Sequence, residues 1–450
     1  MRINRFLATG VHGYLKFNID FNKDITYLTG INGSGKTTVV NAISALVSPS
    51  LSRLANTKYE TIQVDIEHDN QIVTLSSQKE DDRLIVRCSQ DKDPLSVPIL
   101  RTEDPIPSNR IVEREREYYR EQEARFASHP VLKRLKSLPT PMFLGLERRS
   151  NFFFAAEENM YITHAVQRRS HNVFSTSLTR SLLEAAALAE RSYNLIQSKQ
   201  RQLTDSLKRQ FILSALKYER AAFNEQSAPP NLDLNNIARV KTTLKEIGLS
   251  DEEIDKYLDP FVEKLRQLLA YLPYEEKLDV VWSGTDRAKA SAYLEWFTNK
   301  PQYDRLIELV ANVNSYIGDS QKENKLMNAY LETANIFLKD SMKTLAVDAS
   351  GSLIIMMQDG KPRDITALSS GESQLVVILT QLAFNPAAQG ANVFIIDEPE
   401  LSLHLRWQEL FVSAIRSLNS TLQIILATHS PAIILDNLDQ CIDLSEARMP

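Results

Sequence analysis

Cysteine is almost absent: Cys88 and Cys441 are the two in 450 residues. That is too few for a disulfide framework or a cysteine-based zinc site, and a reducing cytoplasm is the expected compartment. Long apolar runs are missing as well. No stretch of about 18 apolar residues occurs, and Met1-Arg-Ile-Asn-Arg-Phe6 is followed by no signal-peptide core, so neither a membrane span nor secretion is expected. Glycine (13) and proline (18) are scarce, which excludes collagen-like and low-complexity classes. A dominant charge sign is lacking too: 52 Lys and Arg stand against 57 Asp and Glu, for a net charge of −5. Without a global basic field, any nucleic acid must meet a local patch. The histidines (His12, His68, His129, His164, His171, His404, His429) are scattered. They form no His-Asn-His-like cluster, so no nuclease centre is expected in this chain.

What is present is 43% apolar and 24% charged residues, a globular composition with room for one large α/β domain carrying an insertion. Short apolar runs at Ile3–Leu7, Tyr14–Phe21 and Ile25–Leu28 read as strands, and the helically spaced Val39–Val47 as a helix. Thr61–Arg87 alternates like an antiparallel meander, a β-subdomain beside the main sheet. Met142–Leu146 reads as one more buried strand. Helical period then takes over. Heptad spacing across Leu182–Ser214 suits a helical hairpin arm. Ser250 with Glu253 makes a capping box opening Asp251–Leu269, and Tyr303–Leu345 returns toward the sheet. Ser227-Ala-Pro-Pro-Asn231 is the loop between arms. Beyond about Leu345 come Ser352–Met357, an apolar helix after Gly371, and the fully apolar runs Val393–Ile396 and Leu422–Ala427. Such runs suit central strands of a parallel sheet covered on both faces. The expected organisation is a head built from residues 1–147 and 345–450 around a helical insertion at 148–344.

Between the third strand and its helix lies Gly30-Ile-Asn32-Gly33-Ser34-Gly35-Lys36-Thr37-Thr38, with the Gly-x4-Gly-Lys-Thr spacing of a P-loop in its proper strand-helix context. Glycines let successive N–H groups face phosphate oxygens, and the helix N-terminus favours the anion. Lys36 would neutralise the β- and γ-phosphates, and the Thr37 hydroxyl would ligate Mg²⁺. Asp397 and Glu398 end an apolar strand at its C-terminal tip, where open α/β sheets bind ligands. There Asp397 would hold Mg²⁺ through water, and Glu398 would orient or deprotonate the attacking water. An acidic pair after a strand is otherwise an ordinary helix cap; the P-loop is what turns the reading toward chemistry.

Leu368-Ser369-Ser370-Gly371-Glu372-Ser373-Gln374 enters an apolar helix and resembles the signature loop of ABC-type ATPases. Ser369 and Gly371 match the usual Leu-Ser-Gly-Gly-Gln, and Ser370 and Glu372 depart from it in the manner of SMC-like and OLD-like members. Pro399-Glu400-Leu401-Ser402-Leu403-His404 resembles that family's D-loop, and Thr428-His429-Ser430 its switch histidine. The resemblance covers roughly residues 1–50 and 365–435. It implies an α/β P-loop NTPase head of ABC type with an antiparallel β-subdomain and a helical, short coiled-coil-like insertion, working with ATP and Mg²⁺. It further implies a nucleotide set of Gly30, Asn32, Gly33, Ser34, Gly35, Lys36, Thr37, Thr38, Ser369, Gly371 and Glu372, with Thr37 and Asp397 at the metal, and Glu398 and His429 as catalytic residues. Gln63, Gln71, Gln78 and Gln90 are equal candidates for the family's Q-loop, and Tyr14 is the candidate adenine-stacking aromatic.

A chain of this layout, ending at Pro450 without a Toprim-like acidic set, is similar to the ATPases of bacterial anti-phage systems, such as Septu-type PtuA and retron-associated ATPases. That similarity implies a homodimer or higher homo-oligomer sandwiching ATP between heads, and a separate nuclease subunit of HNH type. Nucleic acid or a reverse transcriptase with its msDNA are further implied partners, and a membrane is not. The alternative is a DNA-repair or chromosome-structure ATPase of SMC or RecF type; a transporter ATPase is disfavoured because no membrane-coupling segment is evident. Arg148-Arg149, Arg168-Arg169 and the run Lys199, Arg201, Lys208, Arg209, Lys217, Arg220, interrupted by Asp205 and Glu219, form the local basic patches. They fit phosphates or, more simply, a solvated helix face.

Overall fold

The computed structural model describes residues 1–48, 50–100, 108–144, 177–216, 241–245, 251–271 and 287–445. Arg148, Arg149, Arg168, Arg169, Lys217, Glu219, Arg220, the 227–231 loop and the cap residue Ser250 lie outside the described residues. The chain forms two compact units, one of Met1–Tyr193 with Met327–Pro450 and the other of Asn194–Leu326. The divisions fall within long continuous helices, not at the changes of composition near residues 147 and 345.

In the first unit, β1 (Arg2–Val11), β2 (Leu15–Asp20), β4 (Thr61–His68), β5 (Gln71–Glu80), β6 (Arg83–Cys88) and β7 (Leu95–Pro98) form an antiparallel sheet in the order β2-β1-β4-β5-β6-β7. Alternation sets its two faces: Ile62, Val64 and Ile66 of β4 point inward while their neighbours are partly exposed. In β1 the buried residues are Ile3, Phe6, Ala8 and Val11, and the break in alternation after Ile3 coincides with a register shift against β4. A bulge of that kind returns the following side chains to the core face.

The second sheet is parallel throughout, in the order β14-β3-β13-β12-β8, from β3 (Ile25–Thr29), β8 (Met142–Leu144), β12 (Val393–Asp397), β13 (Gln423–Ala427) and β14 (Cys441–Asp443). Every residue of β12 and β13 is buried, as their uninterrupted apolar runs require. The helix Lys36–Val47 joins both sheets into one core. Val40, Ile43 and Leu46 belong to the same cluster as Phe6, Phe17 and Leu75 of the antiparallel sheet and Val393, Ile395 and Ile425 of the parallel one. A polar staple adds to it: the buried Gln423 side chain accepts from the Ile3 N–H and donates to the Ile3 carbonyl, both at 2.8 Å. A third small sheet, β11-β10-β9, is built from β9 (Thr344–Val347), β10 (Leu353–Met356) and β11 (Pro362–Asp364).

The apolar helix Ser370–Phe384 is fastened to the end of the long helix Arg287–Leu338. The Tyr330 and Thr380 hydroxyls lie 2.8 Å apart, and the Tyr330 and Phe384 rings pack edge to face at 5.0 Å. In the second unit, the contacts of the helix Ser177–Leu216 with Arg287–Leu338 run in opposite chain directions: Lys199 with Glu323, Gln200 with Ser320, Thr204 with Tyr316, and Leu207 clustered with Val313. This is an antiparallel helical pair, with Leu244 and Leu258 added to its apolar seam. The pairing of Lys199 with Glu323 at 2.8 Å removes one charge from the expected basic stripe, whereas Arg201, Lys208 and Arg209 are exposed. Among the described residues no helix is long and apolar enough to cross a membrane.

Candidate functional site

Three neighbouring strands of the parallel sheet end in the three sequence motifs. Register puts Leu28 of β3 beside Ala427 of β13, and Ala427 beside Asp397 of β12. The loop from Gly30 to Gly35, the segment Thr428–His429 and the pair Asp397–Glu398 therefore emerge side by side at the carboxyl edge, where ligands collect in α/β sheets. Residues nearly 400 positions apart in sequence meet here because β13 pairs directly with β3.

The glycine loop depends on backbone shapes that side chains disfavour. Gly30, Gly33 and Gly35 all have positive φ, and Gly35 (φ 101°) is also the residue preceding the helix Lys36–Val47. A Cβ on Gly35 would stand 2.7 Å from Cζ of the buried Phe17, so core packing as well as dihedral strain requires glycine there. Lys36, 5% exposed, donates to the Gly30 carbonyl at 3.2 Å and contacts Nε2 of His429. The Lys36 ammonium also lies 4.0 Å from the Glu398 carboxylate, which is 3.4 Å from His429 Nε2. Lys36, Glu398 and His429, read from separate motifs, thus form one cluster. Thr38 is held from outside by His12, whose Nε2 is 3.2 Å from its hydroxyl.

The acidic pair carries the site's electrostatic tension. Asp397 is 4% exposed, with the Thr37 hydroxyl as the donor beside its carboxylate and no close hydrogen bond to either oxygen, and the Ser34 hydroxyl is buried and unpartnered. Burial pushes the Asp397 pKa up, and the Thr37 hydroxyl and Lys36 charge oppose that shift. Orphaned buried carboxylate oxygens are costly unless a cation or donor reaches them. A hard divalent cation supplied with phosphate oxygens would satisfy them, and Thr37 and Asp397 are the oxygen donors that such an ion prefers. Among the described residues no group of three or more His, Cys, Asp or Glu is arranged to hold a metal by itself. Glu398 has left-handed backbone (φ 51°, ψ 55°), and burial together with the Glu400 carboxylate pushes its pKa up to about 7. A carboxylate near neutrality is well placed to take a proton from water.

Glu400 makes contacts at the site that sequence reasoning missed. Its carboxylate accepts from the Thr428 hydroxyl at 2.7 Å and from the His429 N–H at 2.6 Å, tying the segment after β12 to the one after β13. Gln408 continues the tie, accepting from the Ser430 hydroxyl at 2.5 Å and donating to the Leu403 carbonyl at 2.8 Å. The segment Pro399–His404 resembles a family loop, and nothing in its spacing points to Thr428.

Ser369 caps the helix Ser370–Phe384 in a capping box with Glu372. The Ser369 N–H donates to Glu372 at 2.6 Å, and Lys343 pairs with the same carboxylate at 2.8 Å. The Glu372 side chain is 4% exposed, turned into the fold and paired with Lys343. Donors from Lys343, Ser341 and the Ser369 N–H outweigh the effect of burial and keep its pKa below the ordinary carboxylate value. Gly371, in the first turn of that helix, and Ser369 remain at the helix N-terminus. Tyr14 is 72% exposed in the turn between β1 and β2. Of the four glutamines, Gln63 donates to Asp65, Gln78 accepts from Arg87, and Gln90 donates to Gln71 and accepts from Arg134. All these bonds belong to the antiparallel sheet and its border, and none distinguishes one glutamine as a site residue.

The family model described as AAA ATPase domain matches residues 1–434. A retron Vc95 probable ATPase from Vibrio cholerae serotype O1 biovar El Tor is 27% identical over 154 residues, covering 30% of this chain and 29% of that protein. The match thus spans less than a third of that relative's length. Among solved structures, similarity extends to an SMC head domain with an extended coiled coil, bound to the C-terminal domain of ScpA, from Pyrococcus furiosus (TM-score 0.37, 15% identity, 96% of this chain and 90% of that one). The SMC head domain from Thermotoga maritima is also similar (TM-score 0.37, 10% identity, 96% and 91%).

Proposed function

The chain belongs to the AAA ATPase domain family, and on that premise we propose that it binds ATP with Mg²⁺, hydrolyses it at Glu398, and regulates a separate nuclease in retron-like anti-phage defence. The observation that carries the ATPase assignment is the meeting of Lys36, Glu398 and His429 at the ends of adjacent parallel strands. Gly30–Gly35 would wrap the phosphates, Lys36 would neutralise the β- and γ-phosphates, and Thr37 with Asp397 would hold Mg²⁺, which supplies Lewis acidity to the phosphoryl group. Glu398 would take the proton of the attacking water, and His429 would sit at the γ-phosphate.

A second copy would complete the site, with Ser369 and Gly371 of one subunit facing the P-loop of the other. Supporting this reading, Ile31, Leu401, Leu405, Leu435 and Leu438 are exposed apolar residues in or beside the motif segments. Apolar surface of that kind marks interaction sites. The defence role is supported by the partial similarity to the retron ATPase, and the exposed Arg201, Lys208 and Arg209 offer a docking face to a partner or a structured nucleic acid.

The test combines two variants. Lys36→Ala and Ser369→Arg should each abolish hydrolysis, the loss of one charge-assisted phosphoryl contact costing about 2.7–4 kcal/mol. An equimolar mixture should regain activity, because one dimer would contain one intact P-loop opposite one intact signature. Full activity of Lys36→Ala would overturn the ATPase assignment, and an inactive mixture would overturn the shared site. Expression with neighbouring reading frames should co-purify a nuclease; replication or recombination partners instead would favour the chromosome-structure alternative.

A further inference from the structure

Glu372 stands where the ABC signature pattern carries a neutral glutamine, and this chain buries the extra charge. A carboxylate that is 4% exposed needs an opposite charge close by. Lys343 provides it at 2.8 Å, and is itself largely sheltered, with its side chain 15% exposed. The same ammonium donates to the Ala367 carbonyl at 3.3 Å, two residues before Ser369. One cation therefore touches both the carboxylate that caps the helix and the backbone that leads into the cap. Glu372 in turn accepts the Ser369 N–H at 2.6 Å, and the Ser369 hydroxyl accepts the Glu372 N–H at 3.5 Å. Lys343 lies five residues beyond the long helix Arg287–Leu338, in the turn that enters β9, and no sequence motif includes it.

We propose that Lys343 is a positioning residue for the signature loop: by neutralising Glu372 it keeps that carboxylate inward, and through the capping box it fixes the Ser369 hydroxyl and the helix N-terminus toward the nucleotide of the opposing subunit. The proposal rests on the shared-site reading above. Its physical content is a chain of two dependencies. Without Lys343 the buried Glu372 charge keeps only the neutral donors Ser341 and the Ser369 N–H and no opposite charge, which drives the side chain to take up a proton or swing toward solvent. In both cases the Ser369 N–H loses its charged acceptor, and the loop that carries the hydroxyl loses its anchor. Glutamine at position 372 escapes this dependence, because it completes the same capping box without a charge. Loss of Lys343 should therefore be harmful only while residue 372 is glutamate.

The experiment uses the full chain with ATP and Mg²⁺, comparing Lys343→Met with Lys343→Met/Glu372→Gln. Lys343→Met should lower turnover about tenfold or more while ATP affinity changes less than about twofold, the mark of an interaction used after binding. Amide hydrogen exchange over Ser369–Ser373 should accelerate by a similar factor, reporting a loosened cap. The double variant should restore both quantities to within about threefold of the parent chain. Mixing Lys343→Met with Lys36→Ala subunits should also recover activity, since the first keeps its P-loop and the second its signature.

Wild-type turnover and exchange in Lys343→Met, or a double variant as impaired as the single one, would overturn the proposal. Mixing Ser369→Arg with Lys36→Ala serves as the control. If that mixture stays inactive while exchange follows the expected order, the shared-site reading falls and the coupling of Lys343 to the cap stands. If the control regains activity but Lys343→Met with Lys36→Ala does not, the defect lies outside the signature and the proposal fails.

Discussion

The Glu400 carboxylate and the backbone N–H of His429 lie 2.6 Å apart, joining two segments that leave neighbouring strands. With its second bond to the Thr428 hydroxyl, Glu400 fixes the backbone that presents the His429 ring to Lys36. Glu400 also raises the Glu398 pKa. One residue thus orients the imidazole and adjusts the carboxylate beside it.

Replacing Glu400 with alanine should leave two donors unsatisfied, a cost of about 1–3 kcal/mol each where they are buried. ATP turnover should fall more than tenfold, with ATP affinity less affected. Glutamine should be milder, because its carbonyl oxygen keeps one of the two bonds. Steady-state kinetics of the two variants check this, and equal rates for Glu400→Ala and the parent chain would remove Glu400 from the site's architecture.

How much of this was legible in the sequence depends on the range of the interaction involved. The P-loop follows from local rules: glycine for positive φ, and lysine and threonine at the start of a helix. The apolar runs Val393–Ile396 in β12 and Ile424–Ala427 in β13 declare themselves as buried parallel strands, and the arm's helices show in their spacing. Tertiary partners were not legible. Nothing local brings Lys343 to Glu372 or Glu400 to Thr428, because these pairs depend on how distant elements pack. The short edge strand β14 was missed for a related reason: Cys441–Asp443 has only three residues and its pairing with β3 defines it. Likewise, alternation in Ile3–Leu7 and Tyr14–Phe21 predicted strands without saying which sheet they join. The register with β4 places β1 in the antiparallel sheet, while β3, a few residues later, enters the parallel one.

Glu398→Gln should retain ATP and Mg²⁺ binding yet reduce hydrolysis by roughly two to four orders of magnitude, since an amide cannot accept the water's proton. If release of the two heads requires hydrolysis, ATP-bound dimers should accumulate. Light scattering with ATP and Mg²⁺ measures the dimer, and an unchanged hydrolysis rate would show that Glu398 is not the base.

Gly35→Ala should damage the loop by two routes. The residue has φ 101°, and its new Cβ would meet Phe17 at 2.7 Å in a core that cannot easily give way. Left-handed backbone alone costs a non-glycine residue about 1–2 kcal/mol, and the overlap adds to it. The expected result is lost ATP binding with a lowered melting temperature. Gly33→Ala, at φ 81° but with open space around the added Cβ, should lose less stability; the reverse order would contradict the packing argument.

Lys79 gives a prediction about stability alone. Its ammonium donates to the carbonyls of Ala55 and Thr57, both at 2.5 Å, and lies 4.9 Å above the Tyr59 ring. Burial lowers its pKa from 10.5 to about 8. Between those two values the unfolded chain binds more protons at this residue than the folded one does, so its contribution to stability rises with pH. Below about pH 8 the cost of burying the charge is fully present; above about 10.5 it has gone. Lys79→Met removes this titration, along with two hydrogen bonds. The stability of the parent chain relative to the variant should therefore increase from pH 8 to pH 10.5. Because the side chain is only partly buried, the expected increase is on the order of 1–2 kcal/mol. Urea unfolding of both chains at several pH values measures the difference directly, and titrations common to the two cancel. Parallel profiles would show that the Lys79 charge is not strained by its surroundings, and an opposite slope would mean that the carbonyls and the Tyr59 ring more than repay its desolvation.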